Sequence, residues 1–154
     1  MWTAIALLIF VPLGVLSLRG VRWAYVGYVI LGLLWIPARA GFHVGPPPCE
    51  FALTLGLALY SLTNYRHIIL FAIFFLMTFA QLRKLPKAFL WSTLACIAMG
   101  ILIELEEGVT GAGHCRFRDL VPDVAGAFVG LFMIAIWREL SPRLRRPPRS
   151  GTAA

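Results

Sequence analysis

Charge is what this chain has least of. Asp, Glu, Lys and Arg make up only 14% of its 154 residues, where a soluble domain carries roughly a quarter, so an ordinary solvated globule is excluded. Acid is the scarcer sign, with 7 Asp and Glu against 14 Lys and Arg and a net charge of +7. No His-x-x-x-His or Cys-x-x-Cys pair occurs, so no metal site is expected from His43, His67, His114 or the cysteines. A nucleophile elbow and a cofactor fingerprint are also missing, and no strand precedes Gly111-Ala-Gly113 to make it a phosphate loop. No cofactor is expected. The first apolar run has no basic residue before it and no small-x-small cleavage site after it, and it reads as a retained helix rather than a signal peptide. Finally, the basic surplus has no aromatic platform beside it. That argues against nucleic acid and for anionic lipid headgroups as its partner.

What is abundant is apolar surface: 60% of residues are hydrophobic and the mean hydropathy is +0.82. The expected fold class is all-α, a multi-pass transmembrane helical bundle of about five spans, with no room for a soluble catalytic domain. The spans fall at 2–18, 23–36, 67–82, 88–103 and 120–137. Pro37 and Arg39 close the second, and the triple proline before Cys49 marks the clearest loop. Residues 51–62 are apolar but reach only about 18 Å, short of the roughly 30 Å hydrocarbon core, so a re-entrant or interfacial helix is expected there. Residues 1–138 form the membrane domain, and 139–154 are a basic tail expected to be disordered.

Basic residues recur at Arg19 and Arg22, at Arg83, Lys84 and Lys87, and in the tail. Placing all three in the cytoplasm satisfies the positive-inside rule with five spans, a cytoplasmic C-terminus and an outward-facing segment between the last two spans. That segment, within residues 103–130, holds five carboxylates and two arginines between apolar runs. Charge at such a border is costly and is a functional-site hypothesis by default. Glu104 and Glu107 are three apart on one helix, and Asp119, Asp123, Gly126 and Gly130 recur along the next. Glu106 points about 100° away from its neighbour and reads as an exposed border residue. Asp119 suits the N-cap of the last helix, with Pro122 in its first turn. Gly126 and Gly130 form Gly-x-x-x-Gly, expected to draw the last helix against the one bearing Glu104, with Ala127 on a more tolerant face. Cys96 lies mid-span and reads as inert packing, whereas Cys49 and Cys115 fall in the two outer loops, where a bridge would pin the proline loop over the acidic residues.

The pattern of Glu104 closing one helix, a short Gly-rich loop, and Asp119, Gly126 and Gly130 on the next resembles the VanZ-like family of small bacterial membrane proteins. Asn64-Tyr-Arg-His67 heading a middle helix is similar too, and the resemblance covers roughly residues 62–137. Glu107 stands where that family usually has Gln and Asp123 where it has Asn; Arg116 and Arg118 sit nearer the Asp than its usual Arg. The resemblance implies a multi-pass protein of the bacterial inner (plasma) membrane and cell envelope, in a family named for a member linked to teicoplanin resistance.

The candidate site is therefore an outward pocket of Glu104, Glu107, Arg116, Arg118, Asp119, Asp123 and His67. The preferred expectation is a binding protein for an envelope lipid, a lipid-linked precursor or a lipophilic glycopeptide, with arginines on phosphate or carboxylate and acids orienting them. The alternative is a membrane-embedded hydrolase or transferase acting on a lipid headgroup, with Glu104 and Asp119 as acid and base. A third reading is a structural subunit.

Overall fold

A computed structural model of the chain describes residues 2–41, 49–111 and 115–144. Its elements are α1 (Trp2–Leu18), α2 (Arg22–Ala40), α3 (Leu55–Ser61), α4 (Tyr65–Leu82), α5 (Ala88–Thr110), a 3-10 turn (Phe117–Asp119) and α6 (Leu120–Leu144). Among the described residues the only extended pairing is an isolated bridge between Glu50 and Arg116, so the fold is all-α as composition requires. The His43, His114, Gly111-Ala-Gly113 and triple-proline readings touch positions outside the described residues.

Three helices, α4, α5 and the one running through α6, are long and apolar enough to cross a membrane; in α1 and α2 shorter apolar stretches, Thr3–Leu18 and Arg22–Ala38, are found. At seven residues α3 extends about 10 Å and does not cross on its own. Its start is capped by Thr54, whose hydroxyl accepts the Leu57 N–H. Large apolar side chains face outward along the bundle, among them Phe128, Phe132, Trp23 and Leu90. This is the reverse of a water-soluble surface and indicates a membrane protein. Inside, Phe71, Phe74, Phe75, Met77, Cys96, Met99 and Ala127 form the core. Hydroxyls in the apolar helices bond backward to carbonyls one turn away, as Thr78 does to Phe74 and Ser92 to Ala88, which satisfies these donors in a dry interior.

Several boundaries differ from the sequence reading. Helix α2 continues through Pro37 to Ala40, because a proline late in a helix removes only one internal bond and its own carbonyl still accepts the Gly41 N–H. Helix α5 runs past the expected span end at Ile103 to Thr110, and Glu104, Glu106 and Glu107 lie on this one helix, as the spacing of Glu104 and Glu107 implied. Helix α6 continues to Leu144, into the stretch expected to be a disordered tail, and positions 145–154 lie outside the described residues.

The glycine pair needs a larger correction. Gly126 and Gly130 meet α4, not the helix bearing Glu104: a Cβ on Gly126 would lie 2.5 Å from the Ile68 carbonyl oxygen, and one on Gly130 would lie 2.8 Å from Phe75 and 3.0 Å from the Ala72 carbonyl oxygen. Helices α4 and α6 therefore run parallel with their backbones nearly touching, and α5 lies antiparallel against both. Ala127 is buried too, at 2% exposure, so its face is core and not a tolerant one.

This packing sorts the charges. Gln81 Nε2 donates to the Ser17 carbonyl, and Arg138 lies over the rings of Phe79 and Phe89. Arg19, Arg22, Arg83, Lys84, Lys87 and Arg138 thereby share one end of the bundle. Of the seven acidic residues only Glu139 is at that end. The other six gather at the opposite end, together with His67.

Candidate functional site

The first turn of α6 places Asp123 facing the head of α4. There its Oδ1 lies 2.8 Å from His67 Nδ1, with the two side chains 2% and 25% exposed respectively. The close approach of α4 and α6 at Gly126, one turn further on, makes this contact geometrically available. A third helix takes part through an absence: a Cβ at Gly100 of α5 would lie 2.6 Å from Asp123 Oδ2, so a side chain there would displace the carboxylate from its place. That second oxygen has no hydrogen-bond donor among the described residues.

Glu104 is likewise buried, at 5% exposure. Its Oε2 accepts the backbone N–H of Arg116 at 2.7 Å. The guanidinium expected to neutralise the acidic pair is turned elsewhere: Arg116 Nε lies 3.4 Å from Glu50 Oε2, and Arg118 Nη1 lies 3.7 Å from Glu50 Oε1. These contacts are partly exposed and worth little individually. They show that Arg116 and Arg118 belong to a surface cluster around Glu50, not to a pocket with Glu104 and Asp119. Asp119 closes the 3-10 turn, its N–H donating to the Arg116 carbonyl, and its side chain makes no hydrogen bond to Glu104. Glu106 is half-buried rather than exposed, with Oε2 lacking a partner among the described residues.

A strap holds this end together. Cys49 and Cys115 form a disulfide across a sequence separation of 66. Beside it Glu50 N–H donates to the Cys115 carbonyl and Phe117 N–H to the Glu50 carbonyl. The strap thus fixes the Arg116 N–H that serves Glu104. Cys96 is free and fully buried in the core, as its mid-span position implied.

Between the α1–α2 hairpin and α4–α5 lies a cavity of about 420 Å³. Its walls are mostly apolar and aromatic, including Leu7, Phe10, Leu70 and Met99, and its polar groups come from His67, Glu107, Thr3, the Tyr28 phenol and the Trp35 indole. Leu7 and Leu70 in its lining are more than half exposed, at 59% and 54%, so the cavity is an open groove rather than a sealed void. The structure brings His67 to Asp123 and sets Glu107 in the same cavity as His67; Glu104 stands behind them, and the arginines stand apart.

Two contributors escaped the sequence reading. Glu50 gave the signal of an acid beside a cysteine with a partner in the acidic loop, and Gly100 that of a lone glycine in an apolar helix, which often marks a close approach. Among the described residues no group of three or more His, Cys, Asp or Glu is arranged to hold a metal ion. Family models, curated proteins and solved structures contain nothing that matches this chain.

Proposed function

We propose that this protein is a multi-pass protein of the bacterial inner membrane that binds an envelope amphiphile, such as a lipid, a lipid-linked precursor or a lipophilic glycopeptide, in the cavity between its helical hairpins. The observation that carries the reading is that cavity: about 420 Å³, mostly apolar, with a few polar groups that include His67, Glu107 and Tyr28. Volumes of this order and this mix of apolar lining with few polar groups are typical of small-molecule sites. The segregation of Arg19, Arg22, Arg83, Lys84 and Lys87 to one end supports five spans with that end and the C-terminus cytoplasmic and the acidic end outside. A disulfide at the acidic end fits an oxidising compartment. The VanZ-like pattern of Glu104, Asp119, Gly126 and Gly130 supports an envelope role, including tolerance of glycopeptide antibiotics.

The test is photo-crosslinking with a diazirine-bearing alkyl amphiphile in nanodiscs. Adducts should concentrate on cavity residues such as Leu70 and Met99 and should be lost in Gly32→Leu, which fills the cavity. Equal labelling of the outward-facing Phe128 and Phe132 would reduce the signal to bulk lipid contact and remove the reading.

A second reading, hydrolase or transferase chemistry on a lipid headgroup, is favoured by one observation. His67 lines the cavity while Asp123 holds its Nδ1, the arrangement that leaves Nε2 available as a general base. The pair supporting it is His67 and Asp123 rather than Glu104 and Asp119. Turnover of ester lipids by the purified protein, lost in His67→Gln, would favour it over simple binding.

A further inference from the structure

The basic end of the bundle carries a groove of its own. It has a volume of about 580 Å³ and runs between the start of α5 and the last turns of α6, lined by Phe89, Ala135, Ile136, Leu140, Arg138 and Glu139. Counted from Leu120 at 1.5 Å per residue, Arg138 lies about 27 Å along α6, close to the roughly 30 Å depth of a hydrocarbon core. Three tryptophans mark the same level. Trp23, Trp91 and Trp137 all sit at this end with more than half their surface exposed, and exposed indoles collect where hydrocarbon meets headgroups. Ile136 and Leu140, one turn apart and exposed, therefore stand beside acyl chains, with Arg138 at the depth of the phosphates.

Arg138 is held in an unusual way. Its guanidinium carbon lies 4.9 Å from the Phe89 ring centroid and 5.5 Å from that of Phe79, and the two rings stack on each other with centroids 4.8 Å apart. Rings attract the cation without taking up its N–H donors as a carboxylate would. All seven Asp and Glu of the chain lie among the described residues, and none of them pairs with Arg138. The group is thus in place before a ligand arrives, and a phosphate is the acceptor that a planar five-donor fork fits with two parallel bonds. The surrounding charge has the same sign. Arg83, Lys84 and Lys87 are exposed in the loop that leads into Phe89, and they outweigh Glu139, which favours a headgroup of net negative charge over a zwitterionic one.

We propose that this groove is a binding site for an anionic phospholipid, its phosphate held by the Arg138 guanidinium and an acyl chain lying along Phe89, Ile136 and Leu140. A basic end alone draws anionic lipid diffusely. The ring-held guanidinium beside an apolar groove makes one position preferred. Lys84 and Lys87 add attraction at longer range, and Glu139 opposes it. The site is separate from the cavity between the hairpins and stands whatever that cavity binds.

The experiment uses the full chain in phosphatidylcholine nanodiscs containing a trace of phosphatidylglycerol with a diazirine in its acyl chain. Adducts are mapped by mass spectrometry, with the one at Phe128 as an internal measure of the surrounding lipid, and unlabelled phosphatidylglycerol and phosphatidylethanolamine compete. The expected result is that phosphatidylglycerol lowers the adducts at Ile136 and Leu140 about tenfold relative to Phe128, the effect of one charge-assisted contact, at a bilayer content where phosphatidylethanolamine lowers them less than about twofold. Arg138→Gln should abolish this preference. Glu139→Gln, which keeps Arg138 on its rings, should strengthen it, and Arg83→Gln, an equal loss of charge outside the groove, should leave most of it. Equal competition by phosphatidylethanolamine, or a weaker preference in Glu139→Gln, would overturn the site. An Arg83→Gln variant as impaired as Arg138→Gln would do the same, by reducing the preference to the diffuse field of the basic end. Melting temperatures in plain phosphatidylcholine show which variants are folded, and if Arg138→Gln is not, Glu139→Gln and the lipid competition decide.

Discussion

Replacing Gly126 with alanine adds one methyl group at the point where α6 crosses α4. That carbon would lie 2.5 Å from the Ile68 carbonyl oxygen, 2.8 Å from Phe71 Cβ and 3.1 Å from the Ala72 nitrogen. Two of these atoms are backbone, so no rotamer change relieves the overlap and the helices themselves must part. Restoring ordinary contact near 3.5 Å requires a shift of about 1 Å. Overpacking of this kind costs about 1–3 kcal/mol, or roughly 3–10 °C in melting temperature for a chain of this size. The same shift carries the contact between His67 Nδ1 and Asp123 Oδ1, now 2.8 Å, out of hydrogen-bond reach. Gly126→Ala should therefore lower thermal stability in detergent and also weaken capture of the amphiphile probe. The control is Gly56→Ala in α3, where an added Cβ meets nothing within 4 Å and where alanine favours the helix by about 0.5–1 kcal/mol. Thermal aggregation followed by size exclusion decides it. If Gly126→Ala melts with the Gly56→Ala control, the two helices are not in backbone contact and the reasoning fails.

Three further outcomes are expected. Gly100→Ala should destabilise the wild type by about 1–3 kcal/mol because its methyl overlaps Asp123 Oδ2, and most of that loss should vanish in an Asp123→Ala background; an unchanged cost there would mean that Gly100 does not make room for the carboxylate. Alkylation of intact cells should leave Cys49 and Cys115 unmodified until a reductant is added, and mass mapping without reductant should recover them as one crosslinked peptide; ready modification would remove the strap. A cysteine at Thr63, exposed at the acidic end, should react with a membrane-impermeant reagent from outside the cell, whereas one at Lys84 should not; the reverse pattern would invert the proposed orientation.

Much of the architecture follows from the sequence alone, because a bilayer is a severe solvent. Long, predominantly apolar stretches with internal hydrogen bonds have few alternatives to a helix there, which is why α1, α4, α5 and α6 stand close to where hydropathy puts them. The gathering of His67, Glu104, Glu107 and Asp123 at one end follows from the alternation of short loops, and the proximity of Cys49 to Cys115 from the same alternation. What local pattern does not contain is the partner of each face. The Gly-x-x-x-Gly stripe announces a close contact without saying with which helix, and only the packed bundle assigns it to α4. Likewise a charged residue's partner depends on a rotamer and on the path of a distant segment. Arg116 turns to Glu50 across the disulfide and leaves only its backbone N–H to Glu104, an outcome no spacing within residues 103–130 expresses. The place for Asp123 is decided the same way, by an atom that Gly100 does not have.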